Sequence, residues 1–221
     1  MLQRKSLMNN MKRQKYIVGN IVEIYVHNKY YCYAQILEKK NLAFFDYRSK
    51  TRLNDINTLL DCKILFVLGV YTDIITHGVW LKVGKLPIRE ELRLLPIKYI
   101  YRPNDKYQWS LYNTNTGEIT NSTKDECRGL ELCSAWDSHH VEDRLNAYYE
   151  GTPCIWLLND YEIFKDEYKY EIKRDEGKLF ISKIIEENDC KYEYLYLYTF
   201  DEQFDKNGKY TLEQKKTLIS S

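Results

Sequence analysis

The chain lacks the segments that would place it in or across a membrane. Its longest apolar stretch, Ile64–Tyr71, has the length of one strand, whereas a membrane-spanning helix needs about 18 apolar residues. The first 16 residues are basic and polar and contain no apolar stretch typical of a secretory signal. With 221 residues and 44% hydrophobic content the chain can still bury a substantial core. We therefore expect a globular, cytoplasmic protein.

The motifs and spacings of several enzyme classes are also missing. No Gly-rich phosphate-binding loop and no G-x-S-x-G motif occurs, so nucleotide binding and serine hydrolase chemistry have no basis in the sequence. The six cysteines are scattered, which is typical of buried thiols rather than of a disulfide framework. Cys127, Cys133 and His139 are zinc-ligand types, but no C-x-x-C or H-x-x-x-H pair preforms a site. We expect no metal and no cofactor.

The net charge of +1 conceals two regions of opposite sign. Residues 1–158 carry 22 Lys and Arg against 17 Asp and Glu, a balance of +5, whereas residues 159–205 carry 7 against 14, a balance of −7. The shift predicts a disordered basic lead over 1–15, a main domain over 16–158, an acidic extension over 159–205 and a tail over 206–221.

Short β-rich runs dominate the main domain. Ile21–Val26 and Tyr30–Leu37 flank a His27-Asn28-Lys29 turn and predict a hairpin. Further strands are predicted over Leu42–Tyr47, Lys63–Val70, Gly78–Val83, Ile97–Tyr101 and Tyr107–Tyr112, with a short helix over Asn54–Leu60. The pattern favours a β-rich α+β fold, a strongly bent antiparallel sheet or partial barrel with one main packed helix over about 138–150.

The acidic extension predicts a three-stranded antiparallel meander. Its strands are Tyr161–Arg174, Leu179–Ile185 and Lys191–Phe200, and the period of two gives the last strand a stripe of alternating aromatic residues. Four tyrosines of this stripe and four acidic residues form a candidate binding surface, namely Glu162, Asp166, Glu167, Glu171, Tyr192, Tyr194, Tyr196 and Tyr198. Packing of the stripe on the main domain is the alternative.

The segment Asp125–Trp156 is rich in cysteine, tryptophan and histidine residues. We interpret these residues mainly as structural rather than catalytic. Thr123 to Glu126 fit a capping box that starts a turn, which Gly129 ends. Leu130–Trp136 alternates as a strand, and a helix follows from the N-cap Asp137 to the stop at Gly151. Val141, Leu145 and Tyr148 form its predicted core stripe. Glu131, Trp136, His140 and Arg144 are predicted to form a polar brace or to face a partner, and a covered Arg144 would need a carboxylate.

Several segments in order along residues 16–157 resemble a bacterial family, the immunity protein 26 family of polymorphic toxin systems. They are Gly19–Ile24, Tyr31–Leu37, Ala43–Asp46, Ile64–Val67, Trp80 with Gly84–Pro87, Cys127–Glu131, Trp136 and His140–Leu145. Asn20 replaces the acidic residue that such families carry after the first glycine. The resemblance implies a protein that is not an enzyme and that binds and neutralises a cognate toxin encoded nearby.

Two other functions compete with this interpretation. A nucleic-acid-binding adaptor would use the basic lead and exposed tyrosines as a stacking surface, but the dispersed basic residues and the acidic extension oppose it. A cysteine enzyme would pair one of six cysteines with one of four histidines, which any chain of this composition allows. In the immunity-protein interpretation, by contrast, the negative charge of the acidic extension would steer a basic partner.

Overall fold

Strands far outnumber helices in the computed structural model, which describes residues 13–164, 170–175, 178–187, 190–204 and 210–219. Contacts divide the chain into two units, Met1–Glu150 and Gly151–Ser221, each of which is described by itself. The predicted β-rich α+β class is confirmed. No sheet closes into a barrel within the described ranges, because every sheet has two ends.

The described residues of the first unit, 13–150, form ten strands, two α-helices and three short 3-10 segments. The strands are β1 Asn20–Val26, β2 Tyr30–Ile36, β3 Asn41–Phe45, β4 Ile64–Val70, β5 Leu81–Lys85, β6 Lys98–Tyr101, β7 Trp109–Tyr112, β8 Ile119–Asn121, β9 Glu131–Leu132 and β10 Ala135–Trp136. The helices are α1 Asp73–Thr76 and α2 Ser138–Glu150, and the 3-10 segments are Glu38–Lys40, Ile56–Asp61 and Glu90–Leu92.

A six-stranded sheet in the order β10-β4-β3-β2-β1-β5 holds most of the core. The predicted hairpin is confirmed: β1 and β2 pair antiparallel, and His27 and Asn28 both have positive φ in the turn between them. Residues alternate between the two faces of β1, where Val22 and Ile24 are buried on one side and Ile21 on the other. Burial on both faces explains why β1 to β3 are almost continuously apolar.

A second sheet in the order β8-β7-β6-β9 completes the first unit. Each sheet is mostly antiparallel but ends in one parallel pair, β10 with β4 and β9 with β6. The single predicted strand over Leu130–Trp136 is therefore wrong. It divides into β9 and β10, which belong to different sheets, and Cys133 bonds to Tyr99 between them (N···O 2.7 Å). The chain thus crosses from one sheet to the other within six residues.

Local signals around the long helix are largely confirmed. Thr123 and Glu126 form the predicted capping box, with Thr123 N donating to Glu126 Oε2 at 3.0 Å and Glu126 N to Thr123 Oγ1 at 3.3 Å. Helix α2 ends before Gly151, which has positive φ. The core stripe needs one correction. Tyr148 is exposed, and its hydroxyl donates to Asp46 (3.2 Å), whereas Ala147 is buried.

The basic lead is tied down at its end. Gln14, which the sequence assigns to a disordered lead, donates from its backbone N to Thr76 O (3.0 Å). Its side-chain amide donates to Trp80 O (2.8 Å) and accepts from Lys82 N (2.8 Å). A side chain that satisfies both a carbonyl and an N–H imitates the edge of a neighbouring strand. Gln14 therefore caps the start of β5.

The second unit begins with the 3-10 segment Ile155–Leu157 and helix α3, Leu158–Ile163. In the described ranges after residue 164, four strands pair antiparallel in the order β11 Tyr170–Asp175, β12 Lys178–Glu187, β13 Cys190–Phe204 and β14 Tyr210–Ile219. The predicted meander is confirmed, with one strand more where the sequence assigns a tail.

The start of the predicted strand over Tyr161–Arg174 is wrong, whereas its end from Tyr170 is confirmed as part of β11. Residues up to Ile163 are helical because Tyr161 is buried and its hydroxyl accepts from Cys154 N (2.9 Å). Tyr161 also lies against Tyr170, with ring centroids 4.7 Å apart. The helix therefore carries part of the core of this unit.

Candidate functional site

Glu131 and Arg144, predicted as parts of a polar brace, form a two-pronged ion pair. Arg144 Nη1 donates to Glu131 Oε2 at 2.9 Å, and Nη2 donates to Oε1. Strand β9 supplies the carboxylate and helix α2 the guanidinium, so the pair joins the second sheet to the helix. The Arg144 side chain is 12% exposed and that of Glu131 is 27% exposed. Such bidentate geometry fixes both groups more firmly than a surface ion pair.

Aromatic rings enclose the guanidinium of Arg144. Its Cζ lies 4.3 Å from the Phe66 ring centroid and 5.1 Å from that of Trp136. Cation–π contacts of this kind strengthen as water is removed. Trp136 also meets His140 edge-on, at 6.4 Å between centroids. The structure thus brings all four predicted residues, Glu131, Trp136, His140 and Arg144, into one cluster.

His140 lies at the border of this cluster beside His139, with ring centroids 4.0 Å apart. Burial lowers its pKa, the neighbouring His139 lowers it further, and Asp137 and Asp143 oppose the shift. The imidazole is therefore held neutral in the folded protein at pH values where the unfolded chain takes up a proton.

The lowered pKa of His140 predicts that the free energy of unfolding decreases at acidic pH. Because the pKa of His140 is lower in the folded state than the ordinary value of about 6.5, stability is full above that value and falls as the pH drops through it. A His140→Asn variant should lose less stability than the wild type between pH 7.5 and 5.5, measured by the midpoint of urea unfolding. The exposed His77→Asn is the matched control. An unchanged pH dependence in His140→Asn would contradict the assignment.

Lys98 is a buried cation that sequence reasoning missed. It is 3% exposed, and its Nζ donates to Asn41 Oδ1 at 2.9 Å. Burial lowers its pKa, an effect that Cys133 and Glu131 oppose and Arg144 reinforces. Lys98 on β6 pairs in register with Glu131 on β9, which places a carboxylate beside it. The only signal in the sequence was a lysine inside an apolar strand, since Asn41 lies 57 residues away.

Asn41 is oriented to receive this lysine. Its Nδ2 donates to Lys39 O at 3.0 Å and to Glu38 O at 3.4 Å, which leaves Oδ1 facing the ammonium. Lys39 has positive φ, so the turn that presents these carbonyls is unusual for a non-glycine residue. A Cβ on Gly69 would lie 3.1 Å from Ser134 O and 3.7 Å from Lys98 Nζ. The absence of a side chain at Gly69 therefore allows the two sheets to meet here.

The polar face of α2 contacts the β1–β2 hairpin. His27 Nε2 lies 2.8 Å from Asp143 Oδ1, and Tyr30 Oη donates to Asn146 Oδ1 at 3.3 Å. Nearby, Arg48 lies over the Tyr149 ring at 4.8 Å. These contacts extend the docking of the helix beyond its apolar stripe and make it a fixed part of the first unit.

The cysteines have the electrostatics of buried thiols. Burial raises the pKa of Cys32 to about 12 and raises those of Cys62, Cys127 and Cys133 as well. A nucleophilic cysteine needs a lowered pKa, so these four are poor candidates for a cysteine enzyme. Among the residues whose side chains are described, no group of three or more His, Cys, Asp or Glu could hold a metal ion.

The structure describes the side chain of one residue of the acidic candidate surface. Glu162 is exposed on helix α3. Asp166 and Glu167 lie outside the described residues, as do the side chains of Glu171, Tyr192, Tyr194, Tyr196 and Tyr198. The backbone register nevertheless pairs Tyr192 to Tyr198 of β13 with Leu179 to Ile185 of β12. The surface remains a prediction.

Comparison with models of known protein families gives a match over part of the chain. The family model described as Immunity protein 26 matches residues 17–109. The matched family is the one that the sequence motifs suggest. The matched residues run from just before β1 to the first residue of β7. The motifs from Cys127 onward lie beyond its end. No curated protein and no solved structure matches the chain. In the described part of the chain, no helix is long and apolar enough to cross a membrane.

Proposed function

We propose that this protein is an immunity protein that neutralises a cognate bacterial toxin by tight, stoichiometric binding. The observation that carries the proposal is the immunity protein 26 match over residues 17–109. That segment forms most of the six-stranded sheet, the part of the first unit with the largest buried core. A rigid sheet of this kind suits a protein whose surface, rather than an internal cavity, performs the function.

Binding rather than catalysis is supported by how the reactive groups are used. The Arg144 guanidinium is occupied by Glu131, and the Lys98 ammonium by Asn41. Burial raises the pKa of four cysteine thiols, which favours their unreactive form. We place the protein in the cytoplasm, where free thiols of this kind persist.

The acidic extension over residues 159–205 is our proposed contact surface for a basic region of the toxin. Its balance of −7 would attract such a region and speed association, and its tyrosines are typical interface anchors. Among the acidic candidates, Glu162 is exposed on α3. Solvation and protection of edge strands is the competing explanation of the same charges.

The decisive test is rescue of a bacterium that expresses the cognate toxin domain, which we expect to be encoded nearby. Co-expression of this protein should restore growth, and the two purified proteins should form a complex of fixed stoichiometry, measured by light scattering. Growth arrest that persists despite soluble co-expressed protein, together with no complex, would refute the proposed function.

Charge neutralisation tests the role of the acidic extension. The variant Glu162→Gln, Asp166→Asn, Glu167→Gln, Glu171→Gln should associate with the toxin domain about tenfold more slowly at low salt and lose most of its salt dependence. Stopped-flow mixing measures the rate. A matched variant of four exposed acidic residues in the first unit, Asp55→Asn, Glu90→Gln, Glu91→Gln, Glu118→Gln, is the control. Equal rates for the two variants would count against the extension.

A further inference from the structure

One face of the six-stranded sheet is buried at one end and exposed at the other. The buried, inner end lies at Tyr33, and the exposed, outer end lies at Tyr25 and Leu81. The register places Tyr25 opposite Tyr31, and Glu23 opposite both Tyr33 and Leu81, so these five residues share a face. At the inner end Tyr33 is buried in a core cluster whose cover includes Leu53, Ile56 and Leu59. At the outer end Tyr25 is 45% exposed and Leu81 43% exposed. The apolar face of the sheet therefore continues past its cover.

The exposed end is already ordered by its own contacts. The rings of Tyr25 and Tyr31 stack at 4.5 Å between centroids with 20° between their planes. The Ser49 segment is bound to the next strand, since Tyr31 N donates to Ser49 O at 2.7 Å and Ser49 N to Tyr31 O at 3.0 Å. This pairing delivers Arg52 to the same face, 5.7 Å from the Tyr31 ring centroid. Side chains ordered before binding lose little entropy when a partner arrives.

A buried carboxylate holds Arg52 in place. Glu23 is 8% exposed, accepts from Tyr33 Oη (3.2 Å), and lies 3.2 Å from Arg52 Nε. Leu53 N donates to the same tyrosine hydroxyl at 2.7 Å, which completes the chain of bonds. The arginine side chain is 65% exposed, so its remaining N–H donors face solvent. Arginine and tyrosine are the residue types that most often carry binding energy in interfaces.

Arg52 supplies an exposed positive charge on this face, because its carboxylate partner, Glu23, is buried. Lys82 lies opposite Val22 on the other face of the sheet, and Arg48 lies over the Tyr149 ring on that side. A partner surface that offers an acidic group to the Arg52 guanidinium and apolar side chains to the tyrosine rings and Leu81 would complement this face.

The edge of the sheet favours a partner that lies on the face. Strand β5 is an end strand, and such strands often receive an added strand from another protein. Here Gln14 already occupies Trp80 O and Lys82 N, two positions that an added strand would use. Contact through side chains of the face leaves those bonds intact.

We propose that Tyr25, Tyr31, Arg52 and Leu81 form a second toxin-binding surface, the tyrosine–arginine face, which receives an acidic and apolar patch of the partner protein. The proposal rests on the proposed function and adds a contact within the segment that matches immunity protein 26. A protein partner fits better than a nucleic acid. The Tyr25 and Tyr31 rings stack on each other rather than offering two free faces, and Leu81 supplies apolar surface that phosphates do not use.

The test compares matched variants of the full chain for binding to the purified toxin domain used in the rescue experiment. Tyr25→Ala with Leu81→Ser, and separately Arg52→Glu, should each weaken binding at least about tenfold by calorimetry. Tyr107→Ala with Leu94→Ser alters an equally exposed tyrosine and a more exposed leucine elsewhere in the unit and should leave the affinity unchanged. Urea unfolding of each variant verifies that the fold is retained.

The outcomes separate this inference from the proposed function. If the wild type binds and both altered variants bind equally well, the tyrosine–arginine face is not an interface, while the proposed function stands. If the wild type itself neither binds nor rescues, the proposed function fails. Salt-dependent retention of the wild type on RNA that both variants lose, with toxin binding unchanged, would assign the face to nucleic acid and overturn the proposal.

Discussion

Replacing Arg144 by alanine is expected to lower the free energy of unfolding by about 3 kcal/mol. The change leaves the Glu131 carboxylate without its bidentate partner and removes the cation from between Phe66 and Trp136. Removing one member of a buried pair costs about 3 to 5 kcal/mol, and the partial exposure of Glu131 places this pair at the lower end. Urea unfolding followed by tryptophan fluorescence measures the loss.

The control for this prediction is an arginine in a similar pair at the surface. Arg128 Nε lies 3.2 Å from Asp125 Oδ1, but the carboxylate is 86% exposed. Arg128→Ala should therefore cost less than about 1 kcal/mol. Equal losses in the two variants would show that burial and the aromatic enclosure of Arg144 contribute nothing, and would remove the case for a brace.

Replacing Asn41 by leucine is expected to destabilise the protein by about 2 to 3 kcal/mol. The amide oxygen of Asn41 is the acceptor for a buried ammonium, and its Nδ2 also satisfies two carbonyls of the preceding turn. Leucine has nearly the same size and no acceptor, so the Lys98 charge would remain buried without that hydrogen bond. Chemical denaturation again gives the change in free energy of unfolding.

A second substitution makes this prediction specific. Lys98→Met removes the charge and shortens the unbranched side chain by one atom, so in the Asn41→Leu background it should restore part of the lost stability. The double variant is thus expected to be more stable than Asn41→Leu alone. A double variant that is less stable would mean that the cost comes from packing or from the turn and not from the buried ammonium.

Local signals predicted much of the first unit. The His27-Asn28-Lys29 turn, the capping box at Thr123 and the stop at Gly151 each depend on neighbouring residues, and each is found in the structure. The place of Glu131 and Arg144 in one polar cluster was predictable, because a covered arginine beside an apolar stripe needs a carboxylate.

Features that depend on distant residues could not be predicted. The strand over Leu130–Trp136 splits because its two halves pair with β6 and β4, partners that the alternation of its side chains does not encode. The hydrogen bond between Lys98 and Asn41 could not be predicted either, because the two residues lie 57 positions apart in the chain. In the second unit, Tyr161 lies in a helix rather than a strand because its ring and hydroxyl find partners at Tyr170 and Cys154. Tertiary contacts overrode local preference there.

The crossing between the two sheets also determines when the fold can be completed. Trp136 pairs with Val70 across 66 residues, and Glu131 with Lys98 across 33. During synthesis, β4 and β6 therefore have unpaired edges until residues 131–136, which supply β9 and β10, have left the ribosome. Long-range pairing of this kind slows folding and exposes edges to aggregation. Truncation just before Glu131 should thus yield a chain that accumulates as aggregates, although it contains the whole segment that matches immunity protein 26.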